Sequence, residues 1–211
     1  SWVGTLNVIA VMTMVVGNVS AIGQKSVKRM LAYSSIAHAG MMLLGVVVLD
    51  QIGVGAILFY GITYLFMTLA AFYITSFVSD QYDNDHFERF NGLIKRHPFM
   101  SICMAIVMFS LAGVPPFSGF VAKFNILSAI VSKGYYTLAV LAVLNSVVSL
   151  YYYMKIVRLM ILKGPESEEN IEGFCFRNQL IIGLYLIPVV LLGIFWAGPM
   201  NLANSSNLLL Q

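Results

Sequence analysis

The sequence predicts an all-α integral membrane protein of six transmembrane helices, the fourth broken at Gly113–Pro116. Three observations lead there. Only 10% of the 211 residues are charged, against about a quarter in soluble domains. Mean hydropathy is +0.85. Apolar runs of the ~20 residues that a bilayer crossing needs follow one another along the chain. This composition excludes an ordinary water-soluble domain and a disordered chain. Two cysteines are too few for a disulfide scaffold or a Cys-rich metal site.

The first apolar run is Trp2 to Ile22. The second begins after Lys25, Lys28 and Arg29 and ends at Leu49. The third is Ile52 to Val78, followed by a polar loop, Ser79 to His97, with Asp80, Asp83 and Asp85. The fourth is Pro98 to Val131 and the fifth Tyr135 to Leu162. A second polar loop, Lys163 to Arg177, holds Glu166, Glu168, Glu169 and Glu172, and the last run is Gln179 to Ala197. None alternates with a period of two, and all are too long for barrel strands, so each reads as a helix. The first run has no basic segment before it and no small-residue cleavage site after it, so it is not read as a signal peptide. A start at Ser1 is expected of a piece of a longer protein.

Alternating spans place the 23–29, 79–97 and 163–177 loops on one side of the membrane. That side collects Lys25, Lys28, Arg29, Arg89, Lys95, Arg96, Lys155, Arg158, Lys163 and Arg177, ten of the twelve basic residues. The other side has Lys133. Positive residues favour the cytoplasmic face, so both chain ends are expected to face outward. The net charge of +3 is then topology, and nucleic-acid binding is not needed to explain it.

The remaining basic residue, Lys123, lies inside the fourth run. That run has 34 residues, which as a straight helix would measure about 50 Å against a hydrocarbon core of about 30 Å. It must tilt strongly, leave the bilayer or break. Ala112-Gly113-Val114-Pro115-Pro116-Phe117-Ser118-Gly119 supplies a reason to break. Pro115 and Pro116 lack N–H groups and clash with the preceding turn, Val114 is pushed from helical geometry, and Gly113 and Gly119 tolerate unusual dihedrals. Unwound backbone at membrane depth survives only against protein or a water-filled cavity, and such breaks mark ion sites in transporters.

Lys123 is the leading candidate for chemistry. A lysine at this depth costs ~2.5–3.5 kcal/mol on insertion scales. Burial penalises the charged form of an amine, which lets such a group exchange a proton. The alternative is snorkelling, but Lys123 is about ten residues, or ~15 Å, from the nearer end of its run, beyond comfortable reach of its stem. His38 is the second candidate, about ten residues into the second span. Its imidazole suits a proton relay, though a neutral histidine bonded between helices is equally at home in a bundle. Ser34 lies four residues from His38 on the same helical face, with Ser35 beside it. Lys28 is either an anchor at the helix start or a gate lysine. Tyr60, Tyr64, Tyr151, Tyr152 and Tyr153 could line a hydrated path, although such residues more often pack or sit in the interface belt.

All nine carboxylates lie at span ends or in loops, so Lys123 is expected to have no acidic partner within this chain. No phosphate-binding glycine loop, cysteine cluster or paired-histidine ligand set is seen. Cys103 is inside a span and Cys175 is in a loop, too far apart to pair.

Ser26-Val27-Lys28-Arg29-Met30-Leu31-Ala32-Tyr33-Ser34-Ser35-Ile36-Ala37-His38-Ala39-Gly40 resembles the signature of the antiporter-like membrane subunits of respiratory complex I. Leu111 to Phe124, with Pro115, Pro116 and Lys123, resembles their broken, lysine-bearing helix. Ser149-Leu150-Tyr151-Tyr152-Tyr153 is similar to the next helix of the subunit N branch. The resemblance covers most of residues 1–163. It implies the second of the family's two inverted five-helix repeats over 1–163, a cytoplasmic loop over 164–178, and a closing helix with an outward tail over 179–211. It also implies that Lys123 is the lysine of the outward half-channel and that Lys28 and His38 lie on a central hydrophilic axis. The family's first repeat carries a glutamate and two further lysines; those segments have no counterpart here, which implies a fragment or one half of a split subunit.

The function so implied is proton translocation in a bacterial inner-membrane NADH-quinone oxidoreductase, coupled to quinone reduction. The site residues would be Lys123, His38 and Lys28, supported by Ser34 and Ser35 and by the break at Gly113, Pro115, Pro116 and Gly119. No cofactor is expected in this chain; NADH, FMN, iron–sulfur clusters and quinone would belong to partner subunits. The expected partners are other membrane subunits and the lipid bilayer, with no nucleic acid. One alternative is a multi-subunit sodium/proton antiporter, which shares the proline pair and the lysine. Another is a non-transporting membrane scaffold, in which Lys123 and His38 are interhelical glue.

Overall fold

In a computed structural model of the chain, residues 2–48, 51–82, 84–164 and 176–198 are described. The helices are α1 (Trp2–Ile22), α2 (Val27–Val48), α3 (Gln51–Tyr82), the short α4 (Leu93–Arg96), α5 (Pro98–Ala112), α6 (Ser118–Ser132), α7 (Tyr136–Leu162) and α8 (Phe176–Ile194). Five of them are long and apolar enough to cross a membrane, and α5 and α6 are shorter apolar helices of 15 residues each. A 15-residue helix is about 22 Å long, so α5 and α6 cross as a pair. This is the broken fourth span.

Helices α3 and α8 depart from the sequence reading by three residues or more at an end. The third helix runs on through Ser79 and Asp80 to Tyr82, and the remainder of the polar loop folds into a 3-10 turn, Phe87–Phe90, and α4. The last helix starts at Phe176 and ends at Ile194. Asp50, Asp83, Glu166, Glu168, Glu169, Glu172, Cys175 and the tail over 199–211 lie outside the described residues.

Small residues set the helix spacing. Gly17 of α1 faces the Ala37 backbone of α2, and Gly40 of α2 faces the Ala10 carbonyl and Met14. Close backbone approach of this kind is how membrane helices gain packing energy when lipid offers no hydrophobic gradient. Two apolar clusters result. One lies around Met67, Ile74, Met104, Met108, Tyr152 and Ile156. The other, around Ala10, Met14, Leu44, Phe59, Tyr60 and Ile126, encloses the neighbourhood of Lys123.

Of the loops expected on one side, the 23–29 and 79–97 loops gather at one end with the last turns of α7; most of the third, residues 165–175, lies outside the described residues. The Phe87 N–H bonds the Lys25 carbonyl at 3.1 Å, and the Gly92 N–H bonds the Leu159 carbonyl at 3.0 Å. The Lys155 Nζ stands 4.1 Å from the Phe87 ring centre, and Arg89 and Arg96 cover the Tyr82 ring. Asp85 ties this end to α2. Ser26 caps the helix, accepting from the Arg29 N–H at 3.1 Å and donating to Asp85 Oδ2 at 2.5 Å. The same carboxylate oxygen accepts from the Lys28 N–H at 3.0 Å. Burial pushes the Asp85 carboxyl up, but the Ser26 hydroxyl, the backbone donors and the Lys28 charge together hold it below the usual carboxylate range.

Candidate functional site

The break is built from local chemistry. Gly113 has φ 87°, a conformation open to glycine but costly for other residues. Its N–H bonds the Ser110 carbonyl at 2.9 Å, and the Val114 N–H bonds the Phe109 carbonyl at 3.0 Å. These two bonds form a Schellman close to α5. Pro115 and Pro116, joined by a cis peptide, carry the chain across to α6. There Gly119 lies against the Ser110 carbonyl so closely that an added Cβ would overlap it. The Gly119 N–H bonds Ser110 Oγ at 3.1 Å. Opposite, Gly193 of α8 packs on the backbone of Pro116, Phe117 and Ser118, so protein covers one side of the unwound stretch while Pro115 and Pro116 remain exposed.

Lys123 sits one turn into α6 and folds back across the break. Its stem lies along Gly113, and its Nζ donates to the Ala112 carbonyl at 2.9 Å. It is 8% exposed, which rules out the snorkelling alternative. Ala112 is the last residue of α5, so its carbonyl is among those that the helix leaves without an internal partner. The negative end of the helix dipole favours a cation there. Among the described residues, the ammonium group is therefore held by a helix end and not by a carboxylate.

His38 is 4% exposed and bonded at both ring nitrogens. Nδ1 lies 2.7 Å from the Tyr60 hydroxyl of α3, and Nε2 lies 3.0 Å from the Tyr153 hydroxyl of α7. The Tyr64 ring packs 4.7 Å away. Ser34 contacts Tyr153 and donates to the Leu31 carbonyl at 2.7 Å. Ser35 donates to the Ala32 carbonyl at 2.6 Å and also touches Tyr64. A small cavity of about 20 Å³ joins His38, Tyr60, Lys123, Asn18, Asn145 and Tyr152. Lys123 and His38, 85 positions apart in the chain, thus line one cavity.

Not every residue read from the sequence converges. Lys28 is absent from the cavity lining; it stands at the α2 N-terminus beside Asp85, ten residues and about 15 Å along the helix from His38. Tyr151 is 64% exposed and faces away. The lining also holds Asn18, Asn145, Ser146 and Ser149, none of them among the site residues expected from the sequence. The signal was available: an asparagine inside an apolar span faces the bundle interior for the same reason that a lysine does. Asn18 accepts from the Tyr152 hydroxyl at 2.9 Å. It donates through Nδ2 to the Asn145 backbone carbonyl at 3.0 Å and to Asn145 Oδ1 at 3.1 Å.

The chain matches known proteins over nearly its whole length. The family model described as NADH:quinone oxidoreductase/Mrp antiporter, TM, matches residues 1–149. NADH-quinone oxidoreductase subunit N 2 of Sorangium cellulosum is 44% identical over 202 residues, covering 94% of this chain and 40% of that protein. Subunit N of Nitrosomonas europaea is 39% identical over 206 residues, 97% of this chain and 43% of that protein. Among solved structures, a chain of respiratory complex I from Thermus thermophilus superposes with a TM-score of 0.81 at 31% identity, covering 94% of this chain and 45% of that one. A chain of the Mrp complex from Dietzia sp. superposes with a TM-score of 0.88 at 23% identity, over 97% and 46% respectively, a likeness of fold alone. The chain thus spans about two fifths of the length of the curated relatives it matches.

Proposed function

The chain belongs to the NADH:quinone oxidoreductase/Mrp antiporter family of membrane proteins, and on that premise we propose that it supplies one section of a proton path in a redox-driven membrane complex of the subunit N kind. The observation that carries this reading is the shared cavity, which Lys123 and His38 line together with Asn18, Tyr60, Asn145 and Tyr152. Lys123 would hold a proton on Nζ, steadied by the Ala112 carbonyl at the end of α5. His38 would take that proton on its ring and return it, with the Tyr60 and Tyr153 hydroxyls as its two contacts.

Moving one charge across the membrane costs ~2.3 kcal/mol per 100 mV. The driving force must come from outside this section, and redox chemistry in partner subunits is the source we assign. NADH, FMN, iron–sulfur clusters and quinone belong to those partners in this reading. The basic end formed by Lys25, Arg89, Arg96, Lys155 and Arg158 would face the cytoplasm, with both ends of the chain outward. Lys28, at that end, would anchor the helix or gate access from that side.

The test is replacement of His38 by Gln in the full-length subunit, assembled in its complex and sealed into vesicles. Proton uptake driven by quinone reduction should fall at least about tenfold, the scale of a lost proton-transfer group. Undiminished uptake would remove His38 from the path. Copurification with quinone-reducing subunits separates this reading from a sodium/proton antiporter, which would show sodium efflux without redox substrate.

A further inference from the structure

Hydrogen-bond polarity can be followed from fixed backbone acceptors to the imidazole. Asn145 Nδ2 donates to the Leu141 carbonyl at 2.9 Å, so Asn145 turns its Oδ1 towards Asn18. That oxygen and the Asn145 backbone carbonyl are both acceptors, and both take protons from Asn18 Nδ2. A flipped Asn18 would set oxygen against oxygen twice, so its own Oδ1 must point at Tyr152. The Tyr152 hydroxyl then spends its single proton on Asn18 Oδ1, at 2.9 Å.

Tyr153 is the next hydroxyl in the chain. Its hydroxyl neighbours are Tyr152 and Ser34. Tyr152 has given its proton to Asn18, and Ser34 has given its proton to the Leu31 carbonyl at 2.7 Å. Tyr152 therefore offers only lone pairs to Tyr153. The bond between the two tyrosine hydroxyls must carry the Tyr153 proton, and the Tyr153 oxygen is left to accept from His38 Nε2, at 3.0 Å. A neutral imidazole has one N–H, so Nδ1 is the acceptor, and the Tyr60 O–H, 2.7 Å away, donates to it.

We propose that Asn18 is a positioning residue which, through Tyr152 and Tyr153, holds neutral His38 as the Nε2–H tautomer, so that His38 exchanges its proton through Nδ1 and Tyr60 with the Lys123 cavity. This rests on the proton-path reading above. The step balances: the Tyr60 proton passes to Nδ1, and Tyr60 recovers a proton from the cavity side, drawn from the Lys123 ammonium group. The products are a His38 imidazolium and a neutral Lys123. The cavity is roomy enough for a water molecule to bridge the two groups. The Nε2 side does not conduct, because its chain ends on an amide that holds its protons.

The experiment is solid-state NMR of the full-length complex with ¹⁵N- and ¹³C-labelled histidine, with the His38 signals assigned by their loss in H38Q. Native His38 should show the Nε2–H pattern alone at a pH where it is neutral. In N18L that share should drop to about half, because nothing then orients Tyr152. Y152F, which keeps the ring and removes the same link, should do likewise and covers the case in which N18L fails to assemble. An Nδ1–H pattern in the native complex, or an unchanged tautomer in the assembled variants, overturns the proposal. The H38Q samples also report on the underlying reading. Pumping undiminished in H38Q, with the tautomer as assigned, would sink the relay and leave the positioning role of Asn18 intact.

Discussion

Single residues carry both the break and the site, and their roles rest on different physics. Gly113 is at the break because its backbone takes φ 87°; an alanine there would cost about 1–2 kcal/mol in conformation alone and would press on the Lys123 stem. Gly119 is there for space. Gly119→Ala would drive a Cβ into the Ser110 backbone, and we expect a loss of about 1–3 kcal/mol or more, the cost of overpacking. Thermal unfolding of the assembled complex should show both variants below the native protein, with Gly119→Ala the lower. Lys123 and His38 stand out in the sequence because ionisable groups inside apolar runs are rare, and the structure places both in the lining of one cavity. The asparagines were not singled out because one amide in an apolar helix is a weaker anomaly, and its worth depends on a partner 127 residues away.

Elements decide which of those residues meet. The span boundaries were legible because apolar runs and basic clusters are one-dimensional signals. The clamp at the basic end was not, because it depends on Asp85 in a loop reaching the start of a helix 57 positions earlier. That clamp has a pH dependence with a definite sign. The folded state holds the Asp85 carboxyl below its usual range, so its contribution to stability is complete above the ordinary aspartate value of about 4 and is lost as pH falls through the lower folded value. Amide exchange at Val27 and Phe87, whose N–H groups bond Asp85 and Lys25 carbonyls, should quicken as pH drops below about 4, after correction for intrinsic rates. In D85N the exchange should already be fast at neutral pH and show no such step. A step that survives in D85N would place the switch on another group.

At the scale of the whole molecule, α5 and α6 together make one crossing with a helix end inside it, and α2, α3 and α7 bring polar groups to that end. The sequence announced the crossing through Pro115 and Pro116. It did not announce that the Lys123 ammonium group would turn back onto the Ala112 carbonyl, since the direction of a side chain follows from packing and not from spacing. Among the described residues, the buried amine has a backbone carbonyl and no carboxylate as its hydrogen-bond partner, and in the proposed reading its charge responds to events elsewhere in a larger assembly. The central claim is that this amine carries the proton. Its most direct test is the ratio of protons pumped to electrons passed, measured in vesicles that hold the complete complex with Lys123→Ala in the full-length subunit. Quinone reduction should continue in part while the ratio falls; an unchanged ratio in a fully assembled complex would mean that another group carries the proton.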